Sequence, residues 1–183
     1  SGRVYTINPN LLPTGKSNSK SFVFFVESNS NEKLIEIMPY KEELQCIVAS
    51  KFGKGFIADL NGIQTSQKKG KQLFNLKSGD QLLNITNKVG THLCCVSKNS
   101  KLLVFETKDI PILKKGGGVQ LQKIKKNDEL SDIQTFNLSD GISWKIGSQL
   151  RNETAIVFWI GKRSHVGKKV PKRFNKDLKF YNE

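Results

Sequence analysis

The chain has 183 residues, with 30 lysines and arginines against 16 acidic residues and a net charge of +14, which leaves no room for two full domains and points toward polyanionic partners. Hydrophobic residues make up 37% and charged residues 25%, enough apolar material for a core, so general disorder is excluded. No apolar run approaches the roughly 18 residues that cross a bilayer, so a soluble cytoplasmic chain without a membrane partner is expected.

In chain order, short apolar, β-branched and aromatic runs at 21–26, 44–49, 55–60, 81–85, 92–96, 101–105 and 154–160 lie between Gly, Asn and Lys clusters, and each predicts a strand. No long stretch keeps apolar residues at helical spacing with caps at both ends, so the chain reads as all-β. Cys94 and Cys95 are adjacent on a predicted strand and point to opposite faces. With Cys46 they form no disulfide framework, and the compartment reads as reducing.

Aligned with itself, the chain repeats a small or glycine residue, a basic residue and a hydrophobic strand: Gly2-Arg3-Val4-Tyr5-Thr6-Ile7, Gly53-Lys54-Gly55-Phe56-Ile57-Ala58, Ser100-Lys101-Leu102-Leu103-Val104-Phe105 and a fainter Gly141-Ile142-Ser143-Trp144-Lys145-Ile146. The basic residues Arg3, Lys54, Lys101 and Lys145 fall at steps of 51, 47 and 44, within the blade-sized range of propeller-like arrays. The reading is of about four blade repeats over 1–160, bounded approximately as 1–50, 51–97, 98–140 and 141–160 onward, with a basic arm over 161–183 that is loosely packed. Each copy is trailed by a Gly/Lys-rich loop: Thr14-Gly15-Lys16, residues 67–72, residues 114–118 and residues 161–169. Equivalent loops fall on the same edge of every blade, which selects Lys54, Lys68, Lys69, Lys71, Lys101, Lys114, Lys115, Lys162, Arg163, Lys168 and Lys169 as the candidate nucleic-acid contacts.

Enzymatic readings fail on the residues. Gly15-Lys16-Ser17 ends like a phosphate-binding P-loop, but Asn10 stands where its first glycine belongs, so a turn is the better reading. A Ser or Cys nucleophile needs a histidine base, and only His92 and His165 exist. His92, Cys94 and Cys95 fail as metal ligands because strand alternation separates them. No catalytic, cofactor or metal residue is therefore expected. Phe22, Phe24, Phe25, Phe56, Phe105, Phe136, Trp144, Phe158 and Trp159 lie in or beside predicted strands and are read as packing between blades.

These segments, in this order, resemble the C-terminal β-pinwheel domains of the A subunits of bacterial type IIA topoisomerases, the gyrase A and topoisomerase IV family. The resemblance is carried by Gly2 to Ile7 with Leu12-Pro13, then Val48-Ala49-Ser50-Lys51-Phe52-Gly53-Lys54-Gly55-Phe56 and Lys69-Gly70-Lys71-Gln72 with Leu76-Lys77-Ser78-Gly79-Asp80. It continues through Leu103-Val104-Phe105 with Asp109-Ile110-Pro111, Lys115-Gly116-Gly117-Gly118-Val119-Gln120-Leu121-Gln122 and Trp159-Ile160-Gly161-Lys162-Arg163. It implies four-stranded blades whose neighbours exchange a hairpin, a basic outer rim that binds and bends duplex DNA, and a chain that begins inside a repeat with part of a blade upstream. It also implies as partners the remainder of the A subunit together with the ATPase B subunit, with ATP and Mg used elsewhere, in a nucleoid-associated enzyme. The box Gln-(Arg/Lys)-Arg-Gly-Gly-(Arg/Lys)-Gly of the gyrase branch is degenerate at residues 67–72 and 114–118, which favours the decatenating, relaxing topoisomerase IV branch. The alternative is a protein-interaction propeller whose basic face docks on an acidic partner or on the enzyme core. A single-strand or RNA binder would instead depend on exposed aromatics.

Overall fold

Thirteen short strands, β1 (Arg3–Val4), β2 (Gln45–Ser50), β3 (Lys54–Asp59), β4 (Lys71–Gln72), β5 (Leu82–Asn87), β6 (His92–Ser97), β7 (Lys101–Glu106), β8 (Ile112–Leu113), β9 (Val119–Gln120), β10 (Leu130–Phe136), β11 (Ile142–Ile146), β12 (Gln149–Glu153) and β13 (Lys168–Lys169), carry the computed structural model. It describes residues 1–13, 20–29 and 32–181. Helix among these is confined to 3-10 turns, the longest being Ile156–Trp159. The Thr14-Gly15-Lys16 loop and Ser17 lie outside the described residues.

The strands assemble by a repeated rule. β2 and β3 form a hairpin and β5 pairs with the free side of β2; β6, β7 and β10 do the same one repeat later. Between its second and third strands each repeat sends a segment back to the preceding one. β4 pairs with β1, β8 and β9 cover the outer side of β3, and β13 covers β7. At the opposite, inner edge β5 and β10 meet, where Asn84 Nδ2 donates to Asp132 Oδ1 at 3.1 Å and Thr135 Oγ1 donates to Asn87 O at 2.8 Å.

Strand alternation divides the apolar runs among three inter-blade cores. From β2 and β3, Val48, Phe56 and Ala58 face one cluster with Leu73 and Phe74, while Ile47, Ala49 and Ile57 face the next. From β6 and β7, Leu93, Cys95, Leu103 and Phe105 share that second cluster, and Cys94, Val96, Leu102 and Val104 turn to a third with Trp144 and Trp159. Both faces of the β2–β3 and β6–β7 hairpins are covered, which is why these strands read as unbroken hydrophobic runs. Each fully buried aromatic such as Phe56, stacked on Phe74 with ring centroids 5.3 Å apart, contributes about 1.5–3 kcal/mol.

The return strand requires glycine. Gly118 has φ +66°, and a Cβ there would lie 2.6 Å from Gly55 O, a clash added to an unfavourable backbone conformation. Gly70 and Gly167 occupy the same place against Val4 O and Leu102 O.

Several expectations are corrected. Residues 21–26 and 154–160 contain 3-10 turns at Phe22–Phe24 and Ile156–Trp159 in place of strands, and Phe24 and Phe158 are exposed, not packed between blades. The strand β10 lies outside the apolar runs, because four of its seven buried residues, Ser131, Asp132, Gln134 and Thr135, are polar. The fourth repeat is out of register as aligned: the left-handed turn residues before the second strand are Gly2, Gly53, Ser100 and Gly147, so Lys145 on β11 matches Lys51 and Lys98, and Ser148 stands where Lys54 and Lys101 do. Finally, the segment expected as a loose arm is docked. Val170, Phe174, Leu178 and Phe180 join the third cluster, Phe180 N donates to Asp132 Oδ2 at 2.9 Å, and Gln134 Nε2 donates to Tyr181 O at 2.7 Å. Its apolar residues are interspersed among lysines, so charge density alone hid them.

Candidate nucleic-acid interface

The segments that carry the candidate lysines are the ones that return to the outer edge. Residues 67–72, 114–120 and 162–169 run along equivalent edges of successive sheets, and each is tied to the segment before it. Gly116 N donates to Leu73 O and Ser164 N donates to Leu121 O. Lys114 and Lys115 thereby match Lys162 and Arg163 in position: the parallel contacts of Ile57 with Ile112 and of Val104 with Ile160 set the same register two residues before them. Lys54 and Lys101 start the strands on which these segments dock, opposite Gln120 and Lys169.

The eleven candidates divide by what their cationic groups touch. Lys71 Nζ donates to Gly62 O at 2.8 Å, Arg163 donates to Gln120 O at 2.6 Å, and the Lys168 ammonium lies 4.3 Å from the centroid of the Phe158 ring. Those three hold the rim together. Among the described residues, no side-chain partner is found for the ammonium groups of Lys54, Lys68, Lys69, Lys101, Lys114, Lys115, Lys162 and Lys169. Arg3, at the head of the first repeat, is likewise engaged in structure, donating to Lys69 O at 2.8 Å and Gly70 O at 3.1 Å.

Other lysines are partly neutralised. Lys98 Nζ donates to Glu129 Oε2 at 2.7 Å and Lys51 lies 3.9 Å from the same oxygen; the Lys98 hydrogen bond, with help from Lys51, holds the Glu129 carboxyl below the usual carboxylate range. Lys108 does the same for Glu106.

Sequence reasoning missed Lys123, Lys125 and Lys126. They follow β9 on the connection to β10 and, with Phe52, Gln120 and Ser164, line an open groove of about 720 Å³. The signal that finds them is the repeat itself. Asp80 Oδ1 accepts the N–H groups of Phe52 and Gln81, and Asp128 Oδ1 accepts those of Asn99 and Glu129, so the connection 75–80 is superimposable in sequence on 123–128. No groups of three or more His, Cys, Asp or Glu that could hold a metal occur among the described residues. His92, Cys94 and Cys95 are buried, and desolvation raises both thiols well above their ordinary range.

A family model described as the DNA gyrase C-terminal domain, beta-propeller, matches residues 45–86 and 91–137, the two repeats that begin at β2 and β6. A curated relative, the A subunit of DNA topoisomerase 4 from Rickettsia bellii, is 36% identical over 98% of this chain and 24% of its own length. The Caulobacter vibrioides protein of the same name is 29% identical, again over 98% of this chain and 24% of its own. The chain thus spans about a quarter of the length of these relatives. Among solved structures, the E. coli ParC C-terminal domain superimposes with a TM-score of 0.81 at 18% identity, covering 96% of this chain and 75% of that one. A DNA gyrase A C-terminal domain gives 0.68 at 15% identity, covering 98% and 60%. At these identities the two structures show a shared fold.

Proposed function

The chain belongs to the DNA gyrase C-terminal domain family, with its β-propeller fold, and from that premise we propose that it is the duplex-DNA-binding domain of a topoisomerase IV A subunit. In this reading the domain has no chemistry of its own. It holds and bends a DNA segment along its basic outer edge and presents it for strand passage, in decatenation and relaxation, to a core formed by the rest of the A subunit with the ATPase B subunit. ATP and Mg are assigned to those other parts, and the place of action to the cytoplasmic nucleoid. The degenerate box at residues 67–72 and 114–118 supports relaxation over active supercoiling.

The observation that carries the proposal is the equivalence of the return segments: Lys68 and Lys69, Lys114 and Lys115, and Lys162 and Lys169 stand on the same edge of successive sheets and form no ion pair with a carboxylate among the described residues. Lysines spaced along one edge neutralise successive phosphates, and each engaged phosphate adds about 0.9 to the log–log salt slope of binding. Bending a duplex over 20–30 base pairs costs on the order of a few kcal/mol, which the added phosphate contacts offset.

The test is binding of the chain to a labelled duplex of about 40 base pairs at several salt concentrations, beside a single strand of equal length. Tighter duplex binding with a slope of several units is expected. Equal or tighter binding of the single strand, or no duplex binding at moderate salt, overturns the proposal. Loss confined to one charge-reversed patch, with the other loops silent, would favour a docked acidic protein instead.

A further inference from the structure

The groove beside Phe52 is built differently from its counterpart one repeat earlier, and the fold supplies that counterpart as an internal control. The connection after β9 carries Lys123, Lys125 and Lys126 where the connection after β4 carries Asn75, Lys77 and Ser78. The turn before β3 carries Phe52 where the turn before β7 carries Asn99. Phe52 is 40% exposed, and Lys123, Lys125 and Lys126 are exposed with no carboxylate paired to them among the described residues. The one acid in the lining, Asp128, has its Oδ1 occupied by the N–H groups of Asn99 and Glu129.

The groove is continuous with the outer edge. Gln120 and Ser164 belong to two successive return segments, Lys123 N donates to His165 O at 3.0 Å, and Arg163 donates to Gln120 O. A phosphate chain following Lys162 and Lys169 therefore meets three further ammonium groups and an apolar ring, with Asp128 the one carboxylate in the lining. The concavity of about 720 Å³ is open, lined by lysines and amides around one aromatic plane. That is the chemistry that receives a sugar–phosphate backbone: ammonium groups for the phosphates, a ring for the face of a deoxyribose.

Building on the function proposed above, we infer that this groove is a second DNA contact, at which the duplex leaves the outer edge at the junction of the β2–β3 and β6–β7 sheets and lays one strand's backbone across Lys123, Lys125 and Lys126 with Phe52 against the sugar. The junction one repeat earlier lacks this contact, because positions 75 and 78 carry Asn and Ser and the residue before Gly2, where Phe52 stands before Gly53, is Ser1.

The test replaces the groove by its counterpart. The variant Phe52→Asn/Lys123→Asn/Lys126→Ser places at each site a residue that the same turn or connection already holds one repeat away, so the fold is retained; its melting temperature is checked beside the wild type. A second variant, Lys114→Gln/Lys115→Gln, weakens the outer edge alone. All are titrated with the 40-base-pair duplex across salt. The groove variant is expected to bind at least tenfold more weakly near 0.1 M salt, with a slope reduced by about two for its two lost lysines. Phe52→Asn alone weakens binding with no change of slope, since the ring carries no charge. A groove variant that binds within twofold of wild type at an unchanged slope, while the edge variant weakens, overturns this inference and leaves the function standing. A wild-type chain that does not bind the duplex overturns both.

Discussion

β5 and β10 are the same strand in successive repeats, yet β10 is buried along its whole length, while β5 is half-buried over its first five residues and exposed at Asn87. Their pairing is equivalent residue for residue: Asn84 and Asp132, and Ile85 and Ile133, face Ala49 and Val96, and Val48 and Cys95, and each strand inserts one extra residue at the same point, Leu83 or Ser131. The difference lies in the neighbours. β10 is held between β5 on one side and the segment 177–181 on the other, whereas among the described residues no segment beyond its sheet partner β2 hydrogen-bonds to β5 on the side away from β10. Burial of an inner strand is thus set by what the adjacent repeats place against it, and polar residues are tolerated there where those repeats supply partners.

The strongest test of that comparison is truncation at the paired isoleucines. Ile133→Ala is expected to cost about 3–4 kcal/mol and Ile85→Ala about half as much, read from denaturant midpoints; equal losses would mean that the two strands are equally packed.

A pH-dependent difference should come next. Burial raises the Asp132 carboxyl above its ordinary 3.8, against the lowering by Lys179, the N–H groups of Phe180 and Ile133, and Asn84. A carboxyl raised in the folded state holds its proton more tightly than in the unfolded chain. Its contribution to stability is therefore greatest below pH 3.8 and declines as pH rises through the folded-state value. Asp132→Asn should remove that decline, and it costs about 1–2 kcal/mol at neutral pH because the side-chain oxygen can no longer serve Asn84 and Phe180 as a charged acceptor. Asn84→Ala should leave the slope in place. Unfolding followed from pH 3.5 to 7 separates the two.

The cysteines report the same contrast on a smaller scale. Desolvation pushes the Cys46 thiol up to about 11, and those of Cys94 and Cys95 further, so thiolate is scarce at all three and least so on β2. Alkylation of the native chain, followed by mass spectrometry, should mark Cys46 before the β6 pair. The smallest effect belongs to the surface: Glu129→Gln, which removes the ion pairs with Lys98 and Lys51, should change stability by less than about 1 kcal/mol.

The sequence showed the strands that bury both faces in apolar residues, β2, β3, β6 and β7, because runs such as residues 45–50 and 101–105 have no other way to leave water. It concealed β10, whose Asp132 and Gln134 are buried only because Asn84, Phe180 and Tyr181 come from distant parts of the chain to pair with them. The outer lysines were legible as glycine-flanked clusters, and their common edge followed from the repeat. The groove lysines were not, since 123–126 is flanked by Gln122 and Asn127 instead of glycine; the matched turn caps Asp80 and Asp128 were the available clue. Lys145 falls out of place because the six-residue pattern Gly141 to Ile146 aligns to the first strand of its hairpin and not to the turn at Gly147.

The backward docking of β4, β8–β9 and β13 gives the array a direction in time as well as in space. On the ribosome, β3 emerges with its outer edge bare and stays so until residues 112–120 follow, and β7 waits likewise for residues 168–169. Every sheet of the growing chain is thus finished by the next one, and a nascent chain halted between repeats exposes a single unpaired edge open to chaperones or to another strand.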